Sequence, residues 1–196
     1  MLNRRGFCAL ATALAAGCSS VQKVVPTYQA FQSRDQVTGL SSLGSVGNVL
    51  ATGGEGAYPT AEDRKFELNL GFHMAPDGRQ GAFFVVNYRG EGWVYLQEGP
   101  SALTVEADGV LYRFTGVKSD YKVFAGRRVF ESATFPVREM DLRAITVARS
   151  ARVRISHREG RVDAELTEEN REHLRRFLTE EVQARVATAS ARELRH

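Results

Sequence analysis

The dipeptide Asp108-Gly109 constrains the fold more than any other feature of this chain. An Asp-Gly pair between alternating apolar residues marks a two-residue hairpin, because the central residues of such a turn take positive φ. Closing the chain there sets Ala107 opposite Val110, Val105 opposite Tyr112 and Leu103 opposite Phe114. These six are apolar or aromatic and share one face, while Thr104, Glu106, Leu111 and Arg113 take the other. A slip of one residue would exchange the faces, so a single register is selected.

The same period runs through the middle of the chain. Phe66, Leu68, Leu70, Phe72 and Met74 alternate with Lys65, Glu67, Asn69, Gly71 and His73, the pattern of a half-buried strand. Ala75-Pro76-Asp77-Gly78 supplies a turn. Residues 82–89 are apolar on both faces and predict a central strand, and Gly90-Glu91-Gly92 leads to a further strand over Trp93–Leu96. Two more strands are expected over 121–124 and 128–135, around Gly126. The period then becomes helical, with Leu142, Ile145 and Ala148 predicting a short helix over 138–149. A last hairpin turning at Glu159-Gly160 gathers Val153, Ile155, Val162, Ala164 and Leu166 on one face and sets Arg154 against Glu165. Thr167 caps the final helix, with Glu168 and Glu169 in its first turn, where the helix dipole favours acids. Leu174, Phe177, Leu178, Val182 and Val186 form its apolar stripe. Short connections imply antiparallel pairing. The expected fold is therefore mainly β: an antiparallel β-sandwich of about eight strands over residues 63–187, with two helices near the C-terminus. A partly closed β-barrel is the alternative. Residues 188–196 are expected to fray.

Ahead of this domain, Ser, Gly, Gln and Thr dominate residues 18–62, including the run Gly39–Gly47 and Gly53-Gly54-Glu55-Gly56. That composition suits a flexible tether, with Val24, Val25, Tyr28 and Phe31 as residues that could pack in a short helix or an edge strand. The first 17 residues have the parts of a secretory signal: Arg4 and Arg5, an apolar run from Phe7 to Ala16, then Ala15-Ala16-Gly17 leading into Cys18. The run falls short of the roughly 20 apolar residues a membrane span needs. The segment Leu14-Ala15-Ala16-Gly17-Cys18 resembles the lipobox of bacterial lipoproteins, departing from it in having Ala15 where leucine is commoner. That resemblance implies cleavage before Cys18, diacylglycerol on its thiol and anchoring at a membrane surface, since two or more chains hold a protein stably. Ser19 and Ser20 follow the anchor in place of an aspartate, which in proteobacterial lipoproteins implies the outer membrane, with the domain facing the periplasm. Asn3-Arg4-Arg5-Gly6-Phe7 also resembles the twin-arginine export motif, Sec export being the competing route.

Charge and cysteine usage narrow the function classes. The net charge of +3 includes Arg4 and Arg5, so the part after the signal is near +1 and carries no nucleic-acid signature. Of two cysteines, Cys8 leaves with the signal and Cys18 takes the lipid, so no internal disulfide is expected. His73, His157, His173 and His196 share no metal-ligand spacing and read as surface histidines; no metal and no cofactor is expected. No Gly-x-Ser-x-Gly elbow and no nucleophilic cysteine remains. Tyr88, Trp93, Tyr95 and Tyr112 lie on neighbouring segments with Arg89, Glu91 and Arg113 close by. Of these, Tyr88, Trp93, Tyr95 and Arg113 are the candidate ligand-binding residues, with core packing as the competing reading. Lys118, Lys122, Arg127 and Arg128 around Tyr121 and Phe124 form a second stretch, suited to anionic lipid head groups. The expected role is a non-enzymatic binding or assembly module of the cell envelope, tied to the membrane by its lipid and meeting an envelope protein or ligand. The alternatives are a periplasmic hydrolase acting on envelope material and a carrier of an apolar ligand.

Overall fold

A computed structural model of the chain describes residues 28–52, 65–123 and 128–183. The signal segment, Cys18, His196 and the tail 188–196 lie outside the described residues. The architecture is an antiparallel β-sandwich. One sheet contains β1 (Gln29–Arg34), β2 (Ser41–Val46), β4 (Lys65–Met74), β5 (Gln80–Glu91), β9 (Arg128–Val137) and β8 (Lys118–Val123), in that order across it. The other contains β3 (Ala51–Thr52), β11 (Gly160–Glu165), β10 (Ala151–His157), β6 (Gly99–Ala107) and β7 (Val110–Gly116). The described strands form two separate sheets and no closed barrel. Helix α1 (Glu139–Val147) and helix α2 (Glu168–Arg176) follow β9 and β11, and α2 continues as π-helical turns over Phe177–Gln183. No described helix is long and apolar enough to cross a membrane.

The inward-facing side chains make one core. Phe66, Leu68, Leu70, Phe84, Val86, Tyr88 and Phe135 meet Leu103, Val105, Phe114, Val153, Ile155 and Val162 across the sandwich, and Leu142, Ile145, Leu174 and Phe177 extend it under the helices. The β6–β7 hairpin has the register its apolar residues demand, with Leu103 opposite Phe114 and Val105 opposite Tyr112. Thr167 caps α2 reciprocally with Asn170: its Oγ1 accepts the Asn170 N–H, and the Asn170 side chain accepts the Thr167 N–H.

Three expectations are corrected. Residues 28–52 are part of the sandwich and not a tether, for β1, β2 and β3 all pair in the sheets. Their small residues serve close approach: the Phe31 ring lies over Gly44, where an added Cβ would fall 2.3 Å from it. Trp93–Leu96 is a loop, joined to β10 by the single Leu96–His157 bridge in place of a ladder. The last hairpin turns at Arg158-Glu159, closed by His157 opposite Gly160, whose φ of 155° suits glycine. Moving the turn by one residue moves the pairing by two, which keeps the apolar face but sets Arg154 against Asp163, its Nε 2.6 Å from Oδ1, and leaves Arg152 opposite Glu165.

Asp108 does more than turn the hairpin. With φ at 47° it aims its carboxylate at the α1–β10 connection, accepting the N–H of Ser150 at 2.9 Å and of Arg149 at 3.1 Å. Those backbone hydrogen bonds hold its pKa below the ordinary value of 3.8. A depressed folded pKa contributes stability that is complete above the unfolded value and is lost as pH falls through the folded one. The Tm difference between wild type and Asp108→Asn should therefore be constant near neutrality and shrink as pH drops below 3.8; a difference that persists unchanged into strong acid would refute this role.

Candidate functional site

The candidate site grows from an acid placed where the alternation calls for an apolar residue. On β9, Val129, Ala133 and Phe135 face the core, and Glu131, fully buried, occupies the position between them. Its Oε1 accepts the N–H of Val94 at 2.6 Å and its Oε2 that of Leu96 at 2.9 Å. A carboxylate satisfied by two backbone donors is strongly held, because charge-assisted hydrogen bonds are about twice as strong as neutral ones. The opposite side of the loop is fixed as well. The Arg158 N–H donates to the carbonyls of Val94 and Tyr95, at 3.2 and 3.0 Å, and the Gln97 N–H donates to the Ser156 carbonyl at 3.1 Å.

With the backbone pinned in this way, Val94 and Leu96 go into the core, Tyr95 points outward, and Trp93 is half-buried, one side of its ring packed against the edge of the core. Tyr95 adopts φ of 54°, a left-handed conformation that costs an aromatic residue of order 1–3 kcal/mol and persists only where its surroundings impose it. The Trp93 and Tyr95 rings lie 6.1 Å apart at 26°, and Tyr121 of β8 meets Trp93 edge-on at 5.9 Å. The Arg158 guanidinium sits 5.4 Å from the centre of the Tyr95 ring. Tyr95, Tyr121 and Val123 are 42%, 49% and 68% exposed. Together they form an aromatic ledge at one end of the sandwich.

The four ligand-binding candidates thus divide. Trp93 and Tyr95 are on the ledge. Tyr88 is a core residue, fully buried against Phe66 with its hydroxyl donating to the Glu91 carbonyl at 3.3 Å. Arg113 lies on the outer face of β7 opposite Thr104, away from the other three. Tyr112 packs against the core. The stretch around Tyr121 joins the aromatic one through the Trp93–Tyr121 contact, although Phe124 and Arg127 lie outside the described residues. Sequence reasoning missed Glu131 and Arg158; the acid at an inward strand position was the available signal for the first.

The histidines are dispersed. His157 is buried, correcting its reading as a surface residue, because the Trp93–Gln97 loop lies against it, bridged through Leu96 and with the Gln97 amide donating to its carbonyl. Burial lowers its pKa, and its Nδ1 accepts the Glu159 N–H at 3.3 Å. His173 stacks on Tyr28 at 4.6 Å with Nδ1 3.2 Å from Asn48 Oδ1, and burial lowers its pKa too. His73 stacks on Phe83. Among the described residues no three His, Cys, Asp or Glu side chains gather as metal ligands. The other deeply buried acid, Glu67, accepts from the Asn69 amide at 2.9 Å on the outer side of its sheet. Comparison with protein-family models, with curated proteins and with solved structures finds no match for this chain.

Proposed function

We propose that the chain is a non-enzymatic lipoprotein of the cell envelope, anchored to the outer membrane through Cys18, whose sandwich domain presents the Trp93–Tyr95–Tyr121 ledge to an envelope component. The observation that carries this reading is the Glu131 staple. A buried carboxylate and a left-handed tyrosine are both costly, and together they fix one short loop whose outward side chains are aromatic. The lipobox-like run ending at Cys18 supplies the anchor.

Two measurements test it. Changing Cys18 to Ala should abolish lipid labelling and release the protein from membranes; continued retention as an unprocessed precursor would argue for an uncleaved signal anchor. A photo-crosslinking residue at Tyr95 should capture an envelope component in intact cells, whereas the same group at Val147, exposed on α1, should not. Equal capture at the two positions would remove the ledge from the proposal.

A second reading, carriage of an apolar ligand, draws on a cleft of about 370 Å³ beside the π-helical turns, where Phe72, Val137, Leu178 and Val182 share the lining with Gln80, Arg138, Glu139 and Gln183. Saturable uptake of a fluorescent fatty acid, blocked by Leu178→Trp with the ledge intact, would support this reading over the first.

A further inference from the structure

Resting on the anchored reading above, we propose that the ledge is a membrane seat: Trp93, Tyr95 and Tyr121 lie in the head-group layer of the bilayer that holds the lipid on Cys18. Three features of the molecule point to lipid as the occupant.

The first is side-chain chemistry. Trp and Tyr favour the membrane–water boundary because each has a flat apolar body and a polar tip. Val123, two residues beyond Tyr121 on the same face of β8, extends the apolar surface. Arg158 borders the ledge over Tyr95, where its fork of donors can meet a lipid phosphate. Glu131, the acid at the heart of the ledge, is turned inward and taken up by backbone donors.

The second is where the chain arrives. Gln29 pairs with Val46 on β2, whereas Arg34 is level, through Ser41, with Met74 at the far end of β4. Lys65, Arg89 and Phe130 lie at the near end, one residue beyond the level of Tyr88, Glu131 and Tyr121. Strand β1 therefore runs away from the ledge end, along the sheet edge opposite β8, and Tyr28 just before it stacks on His173 of α2. Cys18 precedes Tyr28 by ten residues, which span at most about 36 Å. A bilayer holding Cys18 is thus within reach of the end that carries the ledge.

The third is affinity. An anchored domain meets its own membrane at an effective concentration set by a short linker, so a contact too weak to recruit a free protein suffices to orient a tethered one. A ledge of three aromatic residues matches that requirement.

Trp93 is the only tryptophan in the chain, so its emission reports on the ledge alone. The mature lipidated protein would be reconstituted into phosphatidylethanolamine–phosphatidylglycerol vesicles, with and without bromine on the acyl chains. Bromine should quench Trp93 emission, as expected of an indole at the interface, and aqueous iodide should quench it far less than in detergent. The double variant Tyr95→Ser, Tyr121→Ser, checked for native circular dichroism, should lose most of the bromine effect while still floating with the vesicles. Trp93 left open to iodide and untouched by bromine, in protein that floats, would overturn the seat and leave the anchor standing. A Trp93 response to peptidoglycan fragments without one to brominated lipid would overturn it in favour of a glycan. Protein that neither floats nor carries diacylglycerol mass on Cys18 would overturn the anchor, and the seat with it.

Discussion

Glu131→Ala is expected to lower the unfolding free energy by about 3–5 kcal/mol, a loss at the top of the range for single substitutions. The size follows from what would be left behind. The N–H groups of Val94 and Leu96 now donate to the carboxylate at 2.6 and 2.9 Å. Each buried donor stripped of its acceptor costs about 1–3 kcal/mol, and the emptied space around a fully buried side chain adds a packing loss. Glu131→Gln separates these contributions. Glutamine fills the same volume but can offer its oxygen to only one of the two donors, and it turns an NH2 group toward the other. A loss of at least about 2 kcal/mol for Gln means that the two acceptors matter more than the volume. Urea unfolding followed by Trp93 emission measures both variants and also reports on the site, because the loop that loses its staple carries Trp93. A loss below about 1 kcal/mol for Ala would show that Glu131 is not what holds the ledge.

The parts of this fold that were legible in the sequence are those where one periodicity acts alone. Leu103 to Phe114 alternates around an Asp-Gly turn, and its register is that of the structure; Phe66 to Met74 is a strand throughout, but it is buried on both faces, Glu67 and Asn69 included, where the alternation implied a half-buried one. Legibility fails where residues do two jobs. Gly44 and Ser45 read as flexible because they are small, yet the first makes room for the Phe31 ring and the second exchanges hydrogen bonds with the backbone of Leu70. The candidate site was half visible for a similar reason. Trp93 and Tyr95 alternate with Val94 and Leu96 as a strand would, but the loop's backbone is held by a side chain of β9, at Val94 and Leu96, and by the turn after β10, at Val94 and Tyr95. Such pairing across 35 or more residues leaves no local trace. Tyr88 illustrates the converse. It stands among aromatic and charged neighbours in the sequence, and only its phase on β5, shared with Phe84 and Val86, sends it into the core.

Asn48 tests the correction to the N-terminal part most directly. It lies in Val46-Gly47-Asn48-Val49, a run whose composition suits a linker, where a substitution should shift stability by no more than about 0.5 kcal/mol. In the structure Asn48 is fully buried and ties its own segment to β4 and α2. Its Nδ2 donates to the Leu68 carbonyl on β4 at 2.7 Å, and its Oδ1 accepts from the Asn170 amide of α2 at 2.8 Å. His173 Nδ1 stands 3.2 Å from the same oxygen. Asn48→Ala would strand the Leu68 carbonyl on the side-chain side and leave the Asn170 amide with the Val49 carbonyl as its remaining partner there. The expected cost is about 2–4 kcal/mol. Asn48→Asp should cost at least as much, since it keeps the volume but sets a carboxylate oxygen against the Leu68 carbonyl and buries a charge. Hydrogen exchange would locate the damage: amides of α2 and β2 should lose protection before those of the β6–β7 hairpin, which Asn48 does not touch. Wild-type stability in Asn48→Ala, with exchange unchanged in α2, would mean that the contacts of Asn48 to β4 and α2 contribute nothing to the fold.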